Sequence, residues 1–180
     1  MSITASYRRL SPSGLEQMRQ DKKLADAYFG DDLEEDDDDA NYAWMEQREA
    51  SGRYLDIGKV WQDLNFLLIG SVEMKATNII SPLGSVVMGG TATEWEATYG
   101  MVRCLTPQEV KDCACALGQI DDAELRRRYD PIAFKAEDIY PGGEMWSERD
   151  IDFLLDTFKN VRMFFSEAAI AGEVILISIN

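Results

Sequence analysis

The sequence contains no histidine, and this absence removes several kinds of chemistry. Ser-His-Asp and Cys-His nucleophilic catalysis both use an imidazole as the general base. Histidine-ligated zinc sites and facial-triad iron sites need the same ring as a ligand. We therefore predict no catalytic residues of these kinds, no metal and no cofactor, and we lean against an enzyme.

Cysteine is scarce as well: Cys104, Cys113 and Cys115 are present, without a Cys-x-x-Cys pair. An odd, low count favours neither a disulfide framework nor a zinc or iron–sulfur site, and it fits a reducing cytoplasm. Long apolar runs are also missing, since the longest, 66–69 and 174–177, are far too short to cross a bilayer. The first residues hold no apolar signal-peptide core. These features predict a cytoplasmic protein outside the membrane.

Positive charge is outweighed, because 33 acidic residues face 18 basic ones and the net charge is −15. Eight of the acidic residues lie within 31–39, a run without apolar periodicity, and we predict an acidic flexible loop over 31–40. The only basic cluster, Arg126-Arg127-Arg128, is too short to reverse the resulting field. The composition therefore excludes nucleic acid and anionic membranes as partners. A basic protein is the partner that it predicts.

What is present is the composition of a globular domain, with 46% hydrophobic and 28% charged residues over 180 positions. Strand patterns at 3–10, 99–105 and 173–180 are interspersed with helical patterns in no regular βαβ order. We predict a single α+β domain over residues 1–180, with several helices packed on a small mixed or antiparallel sheet. The last strand is strongly apolar, as is typical of an interior strand.

Helix boundaries are marked at several points. Residues 57–68 carry apolar side chains at helical spacing, which predicts a helix with Asp56 as the N-cap and Gly70 as the stop. Residues 106–109 form a capping-box signature. The stretch 71–98, rich in glycine and small polar residues, is predicted to hold short strands or loops.

A long helix is predicted near the C-terminus, capped by Ser147 and ended by Gly172. Its inward-facing residues are predicted from helical spacing: Ile151, Leu154, Leu155, Phe158, Val161 and Phe165.

Two segments carry a family resemblance. Residues 55–61 read Leu-Asp-Ile-Gly-Lys-Val-Trp and continue with Leu64, Phe66, Leu68 and Gly70. This segment resembles the central helix of the YfbM-like family of uncharacterised bacterial proteins. A second block, from Leu125-Arg126 through Glu137 and Ile139 to Tyr140-Pro141-Gly142, is similar to another segment of that family, in the same order. The resemblance implies a small single-domain α/β-type protein and no established reaction, cofactor or site. The acidic run and the longer segment before Leu55 depart from the shorter members.

The candidate ligand-binding residues are Asp56, Lys59, Trp61, Tyr140 and Trp146. In a functional interpretation, Trp61 is the floor of a polar patch, Tyr140 offers a hydroxyl at the rim of a cleft, and Trp146 offers a stacking face. In a structural interpretation, Asp56 caps a helix, Trp61 fills the core and Lys59 is solvated. The Tyr-Pro-Gly-Gly turn is then only a rigid connector.

Two functions fit these residues. We favour a non-enzymatic interaction module, of an inhibitor, immunity or regulatory type, whose acidic surface engages a basic partner protein. The alternative is a small-molecule binder or a histidine-free enzyme with a cleft near Tyr140 and Trp146. Carboxylates, Tyr140 or Lys59 would then transfer protons.

Overall fold

The structure is a computed structural model that describes residues 2–29, 38–72, 81–140, 147 and 151–180. The elements of these residues are, in chain order, β1 (Ala5–Leu10), α1 (Pro12–Gln20), α2 (Lys22–Phe29), α3 (Asp38–Ala50), β2 (Tyr54–Gly58), α4 (Trp61–Ile69), α5 (Pro82–Met88), β3 (Thr91–Ala97), β4 (Gly100–Leu105), α6 (Pro107–Gly118), α7 (Asp122–Arg128), α8 (Pro131–Ala136), α9 (Ile151–Ala171) and β5 (Val174–Ile179). The predicted α+β class is confirmed.

The five strands form one sheet in the order β2-β1-β5-β4-β3, and every neighbouring pair is antiparallel. The last strand of the chain is therefore the central one, as its apolar sequence predicts. Its residues 174–177 are all buried, because helices cover both faces of the sheet at this strand.

Side-chain alternation along the strands builds two separate cores. Tyr7 of β1 and Ile177 of β5 face the larger core, under α4 to α9. Leu10 and Leu176 face the smaller core, under α1 and α2. Arg8 shares the face of Leu10 because the two are two residues apart. The smaller core thus gives way to polar side chains toward the β2 edge of the sheet.

The predicted start of α4 is wrong. Residues 54–58 form the edge strand β2, paired with β1, and the helix begins at Trp61. Asp56 is no N-cap: its Oδ1 accepts a hydrogen bond from the Gly58 backbone N–H at 2.6 Å. Apolar residues in this stretch satisfy the period of a strand as well as that of a helix, and pairing with β1 decides between the two. Gly70 does end the helix, in the left-handed conformation.

The stretch 71–98 contains a helix that its composition does not predict. Ser81 caps α5 by accepting a hydrogen bond from the Gly84 backbone N–H, and β3 follows. The turn between α5 and β3 lies tightly against β4. A Cβ on Gly90 would lie 2.7 Å from the carbonyl oxygen of Cys104, at a φ of +84°. Glycine is therefore required by both the close approach and the backbone conformation.

Helix α3 begins at Asp38, so residues 38–40 of the predicted acidic loop are helical. Their carboxylates lie at the positive end of the helix dipole, which favours helix initiation. Residues 31–37 lie outside the described residues, as does the helix start that Ser147 was predicted to cap.

Helix α9 packs on the larger core through all six of its predicted inward residues, each of which is buried. The capping box of α6 is also formed, between Thr106 and Glu109. No helix within the described ranges is both long enough and apolar enough to cross a membrane.

Candidate functional site

Two of the predicted site residues, Trp61 and Tyr140, lie together. The Trp61 side chain is only 2% exposed, and its ring stacks on that of Tyr140 with 6.5 Å between the centroids. Trp61 Nε1 donates to the carbonyl oxygen of Ile3 at 3.3 Å, and the Tyr140 hydroxyl accepts from the Ile3 backbone N–H at 2.9 Å. Both side chains therefore bind the backbone that leads into β1.

The other predicted site residues do not join them. Asp56 and Lys59 are exposed, on β2 and in the turn that follows it. Trp146 lies outside the described residues, as does the turn after Tyr140. Ligand binding by this group stays a prediction.

A buried carboxylate that the sequence did not single out lies two residues after Trp61. Asp63 is 0% exposed, and neither Oδ atom has a hydrogen-bond partner in the described part of the chain. Burial raises the pKa of Asp63 from its ordinary 3.8 to about 7. The available signal is a charged residue inside the apolar run of α4. At neutral pH this side chain carries a proton about half of the time.

The side chain next to Asp63 fixes the surrounding loops. Gln62 Oε1 accepts from the Tyr140 backbone N–H at 2.7 Å, and its Nε2 donates to the carbonyl oxygen of Val72 at 3.0 Å. Asn65 Nδ2 donates to the carbonyl oxygen of Ser71 at 2.8 Å. Gln62 and Asn65 of α4 thus hold neighbouring backbone in place.

A second region carries a cavity of about 370 Å³ between α2, α3 and the β1–β2 edge of the sheet. We call it the aromatic–arginine pocket. Its lining comprises three arginines, three aromatic residues and three small or neutral ones: Arg8, Arg48, Arg53, Tyr28, Trp44, Tyr54, Ala27, Gln47 and Ser51. Not one of these lining residues is acidic.

The fold brings this lining together from four places in the chain. Arg8 alternates onto the outer face of β1, and Tyr54 is its partner in β2. Trp44 and Arg48 are four residues apart, so they share one face of α3. Trp44 Nε1 donates to the carbonyl oxygen of Ala27 at 3.1 Å, which ties α3 to α2.

The cations and rings of the pocket alternate. The guanidinium carbon of Arg8 lies 5.2 Å from the ring centre of Phe29 and 5.3 Å from that of Tyr54. The guanidinium carbon of Arg48 lies 3.7 Å from the same Tyr54 ring and 4.4 Å from that of Trp44. Cation–π attraction stabilises such an arrangement and orients the flat guanidinium groups.

The arginines differ in their carboxylate partners. Arg53 pairs with Glu173 at 3.0 Å, and Glu173, which is only 4% exposed, also lies 3.5 Å from Arg9. Arg48 has no carboxylate partner among the residues that the structure describes, and its Nε is buried without a hydrogen-bond acceptor. The Arg48 guanidinium is therefore the group in this pocket best able to accept an anion.

The phenols of the pocket remain protonated at neutral pH. Burial raises the pKa of Tyr28 to about 12, although Arg8 and Arg53 act in the opposite direction. Burial, and then the carboxylate of Asp56, also raises the pKa of Tyr54. Both phenols are therefore poor bases at neutral pH.

The thiols offer no alternative site. Cys104 and Cys113 are buried, and burial raises the pKa of these thiols to about 11 and about 12. Such thiols are weak nucleophiles at neutral pH. Cys115 is exposed. Within the described ranges, no three carboxylate or thiol groups come close enough to hold a metal ion.

Sequence reasoning missed the aromatic–arginine pocket. Arg8 is far from Arg48 and Arg53 in the sequence, and their meeting depends on the β1–β2 register and on where α3 packs. The one local signal is the Trp44–Arg48 spacing on a helix, which by itself is common.

Fold and pocket together define a class: an α+β domain with a five-stranded antiparallel sheet and an arginine-lined cavity at one edge. The family model for a domain of unknown function, DUF1877, matches residues 1–178, and the chain belongs to this family. The solved structure of YfbM, a protein of unknown function from Escherichia coli, is similar with a TM-score of 0.65. The two share 20% sequence identity, over 98% of this chain and 99% of YfbM. No curated protein matches the chain.

The YfbM-like resemblance predicted from residues 55–70 and 125–142 is thereby confirmed. At this identity the solved structure shows the fold alone. It assigns no function to the pocket.

Proposed function

We propose that this protein binds a small anionic molecule in the aromatic–arginine pocket. The observation that carries the proposal is the lining, which has three arginines and, among the residues that the structure describes, no acidic residue, in a chain of net charge −15. Arginine is suited to such a site because its planar fork of donors matches a carboxylate or a phosphate.

The burial of Arg8 supports the same conclusion. Arg8 is only 8% exposed, and desolvated cations attract an anion more strongly than solvated ones do. A cavity of about 370 Å³ lies in the range of small-molecule sites. The overall negative field opposes the approach of anions, so binding depends on local contacts inside the pocket.

The lining favours binding over catalysis. It contains no carboxylate or thiol, and Tyr28, with its raised pKa, is a poor base. Tyr140, at the centre of the cleft first predicted, does not line this pocket.

Replacing Arg48 with glutamine is expected to weaken anion binding about tenfold, because it removes a charge-assisted hydrogen bond. Thermal unfolding against a panel of small anions and their neutral amides measures this. A ligand at a hundred times its dissociation constant adds about 2.7 kcal/mol, or about 5–10 °C in a domain of this size. A tenfold loss of affinity about halves that increase.

Arg126→Gln is the matched control, since it changes the net charge equally at an exposed arginine of α7 that pairs with Asp152. Each variant is compared with its own ligand-free midpoint. Equal shifts for Arg48→Gln and wild type, or equal shifts with anions and amides, would contradict the proposal.

A second function, engagement of a basic partner protein by the acidic exterior, is favoured by a separate observation. The one basic cluster of the sequence is compensated by neighbouring carboxylates. Arg126 pairs with Asp152, while Arg127 and Arg128 both pair with Glu124, at 2.8 and 2.7 Å. This cluster therefore adds little positive potential to an acidic surface.

Affinity capture on the immobilised protein is expected to retain a stoichiometric basic partner at low salt and to release it at high salt. Replacing Asp36, Asp37, Asp38 and Asp39 with asparagine should reduce retention severalfold. Arg48→Gln should leave it unchanged, because the pocket is not the contact surface. Retention that is equal at both salt concentrations would exclude this second function.

A further inference from the structure

Arg48 determines which part of a ligand the pocket recognises. Its guanidinium lies over two rings, 3.7 Å from the centre of Tyr54 and 4.4 Å from that of Trp44. Stacking occupies the flat faces of a guanidinium and leaves its N–H groups, which lie in its plane, to donate. The Arg48 Nε is buried without an acceptor among the described residues. A planar group with two acceptor oxygens, such as a carboxylate, can lie in that plane and accept hydrogen bonds from these N–H groups.

Arg8 places a second positive charge beside the same group. The guanidinium carbon of Arg8 lies 5.3 Å from the Tyr54 ring centre, and that of Arg48 lies 3.7 Å from the same centre. Both guanidinium groups are therefore close to one ring. An anionic group bound by Arg48 is therefore also attracted by Arg8. Its pairing with Ser178 Oγ helps to fix Arg8 in place.

Arg53 limits the number of charges that the ligand can usefully carry. Its Nη2 already pairs with Glu173, a buried carboxylate that Arg9 also approaches. A second anionic group near Arg53 has to compete with Glu173 and is repelled by it. The Arg53 side of the pocket therefore adds little attraction for a second anionic group.

The aromatic residues that line the cavity determine which kind of uncharged group the ligand carries beside its anionic group. Tyr28, Trp44 and Tyr54 line the cavity, and Trp44 is held in orientation by its bond to Ala27. Aromatic rings pack on one another in offset or edge-to-face geometry more favourably than on saturated groups. The raised pKa of Tyr28 keeps its hydroxyl a donor.

We infer that the ligand of the aromatic–arginine pocket is an aromatic monocarboxylate, held edge-on by Arg48, with its ring against the aromatic lining. This inference rests on the proposed function and names its ligand class.

Calorimetric titration of the full chain with three related carboxylates, one amide and inorganic phosphate tests the inference. The probes are 2-naphthoate, the neutral 2-naphthamide, naphthalene-2,6-dicarboxylate, the saturated decahydro-2-naphthoate and inorganic phosphate. We expect 2-naphthoate to bind most tightly. The amide should bind at least tenfold more weakly, and the saturated acid and phosphate should bind severalfold more weakly. The dicarboxylate should bind no more tightly than 2-naphthoate, in spite of its second charge.

Two variants of Arg48 separate the contribution of its charge to the binding affinity from that of its planar geometry. Arg48→Gln should lower the 2-naphthoate affinity at least tenfold and leave 2-naphthamide unaffected. Arg48→Lys keeps the charge but loses the planar fork, so its 2-naphthoate affinity should fall between wild type and Arg48→Gln. Wild-type affinity in Arg48→Lys would overturn the edge-on carboxylate.

The outcomes distinguish this inference from the proposed function. If phosphate, the dicarboxylate or the saturated acid binds more tightly than 2-naphthoate, and this binding depends on Arg48, the inference is wrong and the proposed function stands. If no anion binds in an Arg48-dependent manner, both are wrong.

Discussion

Replacing Asp63 with asparagine is expected to remove a large pH dependence from the stability of this protein. Asp63 is fully buried, and burial raises its pKa from 3.8 to about 7. This difference of about 3 pKa units corresponds to about 4 kcal/mol between the two ends of the titration. Relative to wild type, the free energy of unfolding of Asp63→Asn should therefore increase by about 4 kcal/mol from pH 3.5 to pH 8.

The sign follows from the raised pKa. Below pH 3.8 the carboxyl is protonated in both the folded and the unfolded state, and its contribution is fully present. Between pH 3.8 and about 7 the unfolded chain loses this proton while the folded chain keeps it, so wild-type stability falls as pH rises. Well above pH 7 the carboxyl is ionised in both states, and its unfavourable contribution to stability no longer changes with pH. Asparagine does not titrate, and its own burial cost is the same at every pH.

Urea unfolding of both proteins at half-unit steps between pH 3.5 and pH 8 measures this difference. Gln62→Ala is the matched control on the same helix. It removes hydrogen bonds to Tyr140 and Val72 and should destabilise the protein equally across this range. A constant difference between Asp63→Asn and wild type would mean that the pKa of Asp63 is the same in the folded and the unfolded state.

Replacing Trp61 with alanine is expected to cost about 3–5 kcal/mol of unfolding free energy. The side chain is 2% exposed in the larger core, and its Nε1 donates to the Ile3 carbonyl oxygen. Truncation leaves a cavity and an unsatisfied backbone acceptor. A partly solvated residue on the floor of a binding patch would cost much less. Chemical denaturation followed by circular dichroism measures the loss.

Two milder variants separate the contributions. Trp61→Phe should cost less than Trp61→Ala because it keeps most of the volume. Tyr140→Phe should cost about 1 kcal/mol, since it removes only the acceptor for the Ile3 N–H. Neither should change anion affinity, because neither residue lines the aromatic–arginine pocket. A loss of less than 1 kcal/mol in Trp61→Ala would contradict the structural role of Trp61.

An anion site in a strongly acidic protein has a physical consequence for selectivity. Under the proposed function, the exterior field disfavours every anion, and only an anion that enters the pocket gains the attraction of Arg8 and Arg48. Binding then requires both the charge and the shape of the ligand.

The central position of β5 and the inward face of α9 could both be predicted from the sequence. The run Val174–Ile177 has no polar face to offer to water, so it needs covered surfaces on both sides. The heptad-like spacing from Ile151 to Phe165 fits one side of a helix. In both cases the local pattern and the tertiary environment demand the same structure.

The sequence was ambiguous where two periods fit the same residues. Leu55 and Ile57 suit a strand as well as a helix, and the pairing of β2 with β1 makes them a strand. The predicted cap at Asp56 was wrong for that reason. The missed helix α5 shows the opposite bias, because its glycine content concealed the Ser81-Pro82 start signal.

The sequence by itself determined the α+β class, the acidic charge, the family membership and the chemistry that the absence of histidine excludes. These properties depend on composition and on local patterns, which no packing can change. Only the tertiary structure decided that Asp63 is buried, that Trp61 and Tyr140 hold the chain at Ile3, and that distant arginines meet around Tyr54. Such properties arise from contacts between residues far apart in the chain, and local periodicity carries no information about them.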